Sequence, residues 1–234
     1  MAASTIETFM EDVTRALGPR LVALVLYGSA ARGDPTADAD VNTVLVTDAV
    51  DEDLFTALDP VVRPWARAGH PAPLLFAEAE WGASADVFAI EFEEMRHAHR
   101  VLAGRDPFRD ITVRHEDLRR QLEAELRGKL VRLRQAYLTW RNDARALTRV
   151  ITRSTAGVLT MLRTVLRVSG VAVPPDAEGV VRAAAALVGF PPTVFGEVVA
   201  PARAARLKLV PRDPRAAAYL DVLAQTAAFV DRLT

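Results

Sequence analysis

Residues 24–46 read LVLYGSAARGDPTADADVNTVLV, and their order decides how the first half of the chain folds. Leu21 to Tyr27 is a short, almost wholly apolar run, which suits a strand covered on both faces. It ends directly in Gly28-Ser29. A loop with Arg32 and Gly33 follows, and then Asp38-Ala39-Asp40 leads into a second apolar strand, Asp40 to Val46. Glycine after a strand lets the backbone turn sharply and come close to a bulky anion. Ser29 adds a hydroxyl, and a helix starting there would aim free N–H groups at a phosphate. Two aspartates two residues apart in extended chain project to the same side. Carboxylates that converge in this way can hold hard cations such as Mg2+ through oxygen. Two such ions can clamp a triphosphate and activate an attacking hydroxyl.

Outward from this stretch the periodicity changes once. Ile6, Phe9, Met10, Val13 and Leu17 recur at helical spacing, and Gly18-Pro19 stops that helix. A helix is expected over about Glu52 to Ala68, with Pro60 and Pro64 bending or dividing it. Pro73–Ala77, Val87–Phe92 and His99–Ala103 read as further strands. From about Glu116 only helical spacing remains. Leu118, Leu122, Leu126, Leu130, Leu133, Tyr137 and Trp140 form one stripe, and Leu147, Ile151, Val158, Leu162 and Val165 another. The segment 170–175 (GVAVPP) interrupts the pattern, and weaker helices follow from Asp176, the last over about Pro214 to Leu233. The predicted fold is α+β: a mixed sheet flanked by helices over residues 1–110, then an all-α helical bundle over 111–234. Turn signals in GRDPFRD place the junction near residues 104–115.

Strand, Gly-Ser, spacer and Asp-x-Asp on the next strand together resemble the signature of the DNA polymerase beta-like nucleotidyltransferases. The loop GSAARGD is close to the Gly-Ser-x-Ala-Arg-Gly form of small bacterial members. Ala37 departs from the pattern, because many members have serine before the first aspartate. The resemblance extends loosely over the first 140 residues, through IEFEEMRHAHRVLAGRDPF and ELRGKLVRLRQAY. It implies that Asp38 and Asp40 are metal ligands and catalytic residues, and that Gly28, Ser29 and Arg32 hold the nucleotide. It also implies a third carboxylate on a later strand. If Val87–Phe92 is that strand, Phe88, Ile90 and Phe92 face one way and Glu91 the other, alone among apolar neighbours. A lone buried acid needs a partner, and a metal supplies one. Glu91 is therefore the third acid implied. Glu93, sharing its face, is the runner-up, and Asp86 lies on the apolar-facing parity.

The implied activity is transfer of a nucleoside monophosphate from an NTP to a hydroxyl acceptor, with release of pyrophosphate. Mg2+ is the implied cofactor, in a two-ion site, with Mn2+ as the alternative ion. A compact αβ domain followed by a helical bundle resembles the aminoglycoside nucleotidyltransferase arrangement of the kanamycin nucleotidyltransferase kind, where the helical domain helps to shape the acceptor site. That points to a small-molecule acceptor, with nucleotidyl modification of a protein or RNA partner, as in antitoxin-like members, as one alternative. A non-catalytic nucleotide-binding scaffold is another, and an intact acid pair argues against it.

The net charge of −1 over 234 residues supplies no global field for nucleic acid. Only Lys129 and Lys208 are lysines; the remaining cations are arginine, so arginine abundance by itself does not mark a phosphate site. There are no cysteines, which excludes disulfides and thiolate metal sites. The N-terminal segment reads as an amphipathic helix and no run reaches membrane-span length, so a cytoplasmic protein without a membrane partner is expected. A homodimer is one assembly open to it. His97 and His99 could bind a metal at i, i+2 on a strand, but solvated histidines near a turn are favoured. Glu125, Lys129 and Arg132 share a helical face. They could serve a triphosphate or form a salt-bridged surface ladder, and the ladder is favoured. Trp65, Trp81 and Trp140 read as core or interface anchors.

Overall fold

The apolar run of the opening stretch becomes strand β1 (Leu21–Tyr27), one of two central strands in a four-stranded mixed sheet. The computed structural model describes residues 5–32 and 41–233 of the chain. They divide into two compact units, residues 1–114 and 115–234. In the first unit, β1 lies antiparallel to both β2 (Asn42–Thr47) and β4 (His99–Gly104). β3 (Leu74–Ala77) continues the sheet beyond β2 in parallel, giving the order β3-β2-β1-β4.

Both faces of the sheet are covered, which is why β1 and β2 read as continuous apolar runs. Leu24 and Leu45 face helix α1 (Ile6–Leu17) and helix α3 (Glu52–Arg67), in a core with Phe9, Leu54 and Trp65. Ala23, Val25, Val44 and Val46 face the other way, onto Trp81, Phe92 and Met95. Between β1 and β2 lies the single helical turn α2 (Ser29–Arg32). Thr5 caps α1 and Asp51 caps α3, each accepting from the backbone N–H three residues on. Helix α3 is not divided at Pro60 or Pro64. Thr56, Pro60 and Pro64 all lie on its exposed face, where water can satisfy the carbonyls that proline leaves unpaired.

The segment Val87–Phe92 departs from the strand expected there. After helix α4 (Glu78–Ala83) the chain turns and enters helix α5 (Ala89–His97). Ala89, Ile90, Phe92, Glu93 and Met95 are buried, a helical spacing. Over six residues, alternation and helical spacing both describe FAIEFE, and packing against the sheet selects the helix. β3 and β4 carry no acid, so no later strand supplies the expected third carboxylate.

The second unit is helical: α6 (His115–Trp140), α7 (Ala144–Val168), α8 (Ala177–Val188), α9 (Ala200–Arg203) and α10 (Pro214–Asp231). A π-helical turn, Phe195–Val199, precedes α9. The two stripes read from sequence supply Leu130, Leu133, Leu147, Ile151, Val158 and Leu162 to one core, which α8 and α10 complete with Val180, Val181, Tyr219 and Leu223. No helix among the described residues is long and apolar enough to cross a membrane.

Candidate active site

The site is built at the end of β1. Tyr27 lies level with Asn42 of β2 on one side and His99 of β4 on the other. Gly28 then takes φ +81°, a left-handed conformation that glycine adopts without strain. A Cβ there would meet nothing closer than the Asn42 side chain at 3.8 Å. The glycine is thus required first by backbone conformation, and a β-branched residue would strain the turn before it met any ligand. The Gly28 N–H donates to the Ala98 carbonyl at 3.1 Å, tying the turn to the end of α5. The Gly28 carbonyl accepts from the Arg32 N–H at 3.1 Å and closes α2. Ser29 starts this helical turn, so Arg32 lies on a helix and not in the loop read from sequence.

Two acids of α5 face this turn. The Arg32 guanidinium pairs with Glu94 at 3.5 Å. Burial, reinforced by the negative charge of Glu91, pushes the Tyr27 phenol above its ordinary range. Glu91 and Glu94 are three residues apart on a helix and so share a face. Glu91 is an exposed residue of this helix and not the lone acid of an apolar strand. Glu93 does not share its face. It is buried, with Arg96 at 3.0 Å and His97 at 3.3 Å. Asp86 sits in the exposed turn before α5. Glu94 was not singled out from sequence; reading IEFEEM at a period of 3.6 would have paired it with Glu91.

Asp38 and Asp40 lie outside the described residues, as does Gly33. The described chain resumes at Val41, and Asn42 is fixed opposite Tyr27. Among the described residues no three histidines or acids converge on one point. His97 ends α5 beside Glu93, whereas His99 packs at a tilt against Phe108 and approaches Asp106 at 3.5 Å, so the two do not form a pair of ligands.

In the helical unit, the favoured Glu125/Lys129/Arg132 ladder is replaced by another. Glu123 of α6 bridges Arg119 and Arg127 at 3.3 and 3.2 Å, and Arg127 reaches Asp231 of α10 at 2.7 Å. Lys129 lies against α7 at Gly157. Trp65 and Trp81 are core residues whose indole N–H groups donate to Pro71 and Pro107 carbonyls. Trp140 is exposed at the end of α6.

No protein-family model matches this chain, and no curated protein matches it in sequence. Among solved structures it is similar to spectinomycin adenyltransferase AAD(9) from Enterococcus faecialis, crystallised with ATP and spectinomycin. The TM-score is 0.55 at 14% identity, and the match covers 96% of each chain. The αβ unit with its mixed sheet and the helical unit after it therefore share the fold of that adenyltransferase over nearly their whole length.

Proposed function

We propose that this protein is a nucleotidyltransferase of the polymerase beta-like superfamily, moving a nucleoside monophosphate from an NTP to a hydroxyl on a small molecule. The observation that carries the reading is the fastening of the Gly28–Arg32 turn to α5. Gly28 is held at Ala98, Arg32 at Glu94, and Tyr27 lies in the field of Glu91. In this reading an anion-binding turn and a carboxylate serve the strand end that precedes Asp38-Ala39-Asp40 in the chain. Two peptide bonds beyond Asp40 it re-enters the sheet at Asn42. The neighbour's fold, in a protein crystallised with ATP, supports the same assignment.

In this reading Gly28 and Ser29 hold the β- and γ-phosphates, with Arg32 beside them. The acceptor hydroxyl oxygen attacks the α-phosphorus, the bond from that phosphorus to the bridging oxygen breaks, and pyrophosphate leaves. The hydroxyl proton passes to Glu91. Catalysis is then chiefly positioning and neutralisation of charge. The donors suit Mg2+: they are carboxylate oxygens, with no thiolate in the chain and no converging imidazoles among the described residues. Asp38, Asp40 and Glu91 would hold it, and its positive charge would lower the cost of charge building on the phosphates.

Calorimetric titration with ATP tests this. Wild type should bind only with a divalent cation present. Asp40→Asn should weaken binding by at least about tenfold, the loss of one charged contact. An unchanged MgATP affinity in that variant would remove the assignment.

A further inference from the structure

Helix α7 and the segment after α9 enclose a groove of about 600 Å³ in the helical unit. Arg145, Arg149 and Arg153 line one side, at i, i+4 and i+8, so they stand in a row about 12 Å long. Lys208 stands on the other side. All four side chains are exposed, and no acid lines the groove. Among the described residues none of the four has a carboxylate partner. The nearest acid on this helix, Asp143, is its cap and accepts from the Arg145 and Ala146 N–H groups.

Elsewhere in the unit several arginines are paired. Arg119, Arg120, Arg127, Arg182 and Arg215 each have an acid within 3.5 Å. The 25 residues of α7 contain five arginines and no acid. Like charges at i, i+4 destabilise a helix, and α7 holds two such contacts in this row. A bound anion would relieve that repulsion. The convergence of four cations on one groove that no acid lines carries the argument, so the overall abundance of arginine does not enter it.

The groove is also held open in a defined form. Thr148 at its base donates to the Ala144 carbonyl at 2.7 Å and accepts the Leu209 N–H at 3.1 Å. The Lys208 carbonyl accepts from Arg215 at 2.8 Å, so the backbone is fixed and its ammonium is left to solvent. Ala205, on the rim, takes φ +51°, a conformation costly to an alanine. Guanidinium forks suit phosphate or carboxylate oxygens.

We propose that this groove binds a small, multiply charged anion bearing phosphate or carboxylate groups. Its volume lies in the range of small-molecule sites. No aromatic side chain lines it, so single-stranded nucleic acid would find no stacking platform. The proposal does not rest on nucleotidyl transfer.

The test titrates tripolyphosphate into the full chain at low salt with EDTA present, which silences any site that needs a divalent cation. Four proteins are compared: wild type, Arg149→Ala/Arg153→Ala, Asp40→Asn, and a control, Arg63→Ala/Arg182→Ala, that removes two charges elsewhere. Wild type, Asp40→Asn and the control should bind alike, and the groove variant at least about tenfold more weakly. Hydrogen exchange over residues 204–210 should slow with the probe in wild type and not in the groove variant. Equal weakening in the control would reduce the effect to net charge and overturn the proposal. Wild-type binding weaker than about 1 mM overturns it as well. So does binding confined to an oligonucleotide or an acidic peptide. Equal binding by the groove variant and wild type would place the anion elsewhere on the chain and overturn the groove, while leaving the proposed activity standing.

Discussion

At the residue scale, the contrast between Glu93 and Glu91 shows how surroundings decide what a carboxylate can do. Glu93 is shielded and already matched by Arg96 and His97. Glu91 is exposed, on the turn's side of the same helix. Asp213 shows the structural use of the same group. It is buried, caps α10, and the Arg215 guanidinium, with the Val210 and Arg215 N–H groups, holds its carboxyl down at about 2. A carboxyl depressed in the folded state stabilises the fold above its unfolded pKa of about 3.9, and that stability is lost as pH falls towards the folded value. The contribution at neutral pH is on the order of 2 kcal/mol. Asp213→Asn keeps a capping side chain and removes the charge. Urea unfolding should show a less stable variant at neutral pH, with the gap closing between about pH 4 and pH 2. A gap that does not change with pH would mean that the cap, and not the charge, supplies the stability.

At the element scale, α6 and α7 are of nearly equal length but treat charge differently. On α6 the acids stand three or four residues from arginines, at Arg119–Glu123, Arg120–Glu116 and Arg127–Glu123. On α7 the apolar face is continuous, and the opposite face carries arginine without acid. Replacing Arg149 by Glu turns two repulsive i, i+4 contacts into two attractive ones. It should stabilise the helical unit by about 0.5–1 kcal/mol at low salt, and the gain should fade at high salt. Thermal unfolding with and without added salt measures this. The same substitution should abolish tripolyphosphate binding. A variant that is more stable and no longer binds is the expected outcome for a site kept at the expense of stability. A destabilised Arg149→Glu would mean that the arginine row is relieved by contacts within the fold.

At the scale of the whole molecule, each of the two units contains apolar clusters of its own. One core draws only on residues from Leu130 to Leu223, and the two sheet-face cores draw only on residues from Phe9 to Phe108. Each unit therefore has a hydrophobic interior of its own, the usual condition for independent folding. Residues 115–234 expressed alone should give a helical circular dichroism spectrum and a cooperative thermal transition. A gradual, non-cooperative melt would show that this core is insufficient by itself.

The sequence alone determined the elements whose signal is long or unambiguous. The apolar runs of β1 and β2, the stop at Gly18 and the stripes of α6 and α7 were all legible, because burial on a fixed side imposes a period. So was the Gly-Ser turn, whose glycine has the positive φ that such a turn requires. Tertiary structure decided what short windows leave open. Six residues of FAIEFE satisfy two periods at once, and only the packing of Phe92 and Met95 against the sheet makes them a helix. That choice moved Glu91 from a strand to a helix, separated it from Glu93 and brought Glu94 to Arg32. The ladder on α6 likewise depended on Asp231, more than a hundred residues away, which no local spacing could reveal. The groove needed both: the arginine row is written in α7, but Lys208 reaches it only because the chain folds back and Leu209 hydrogen-bonds to Thr148. Periodicity reports which face of an element is buried; it carries no information on which distant segment covers or completes the other.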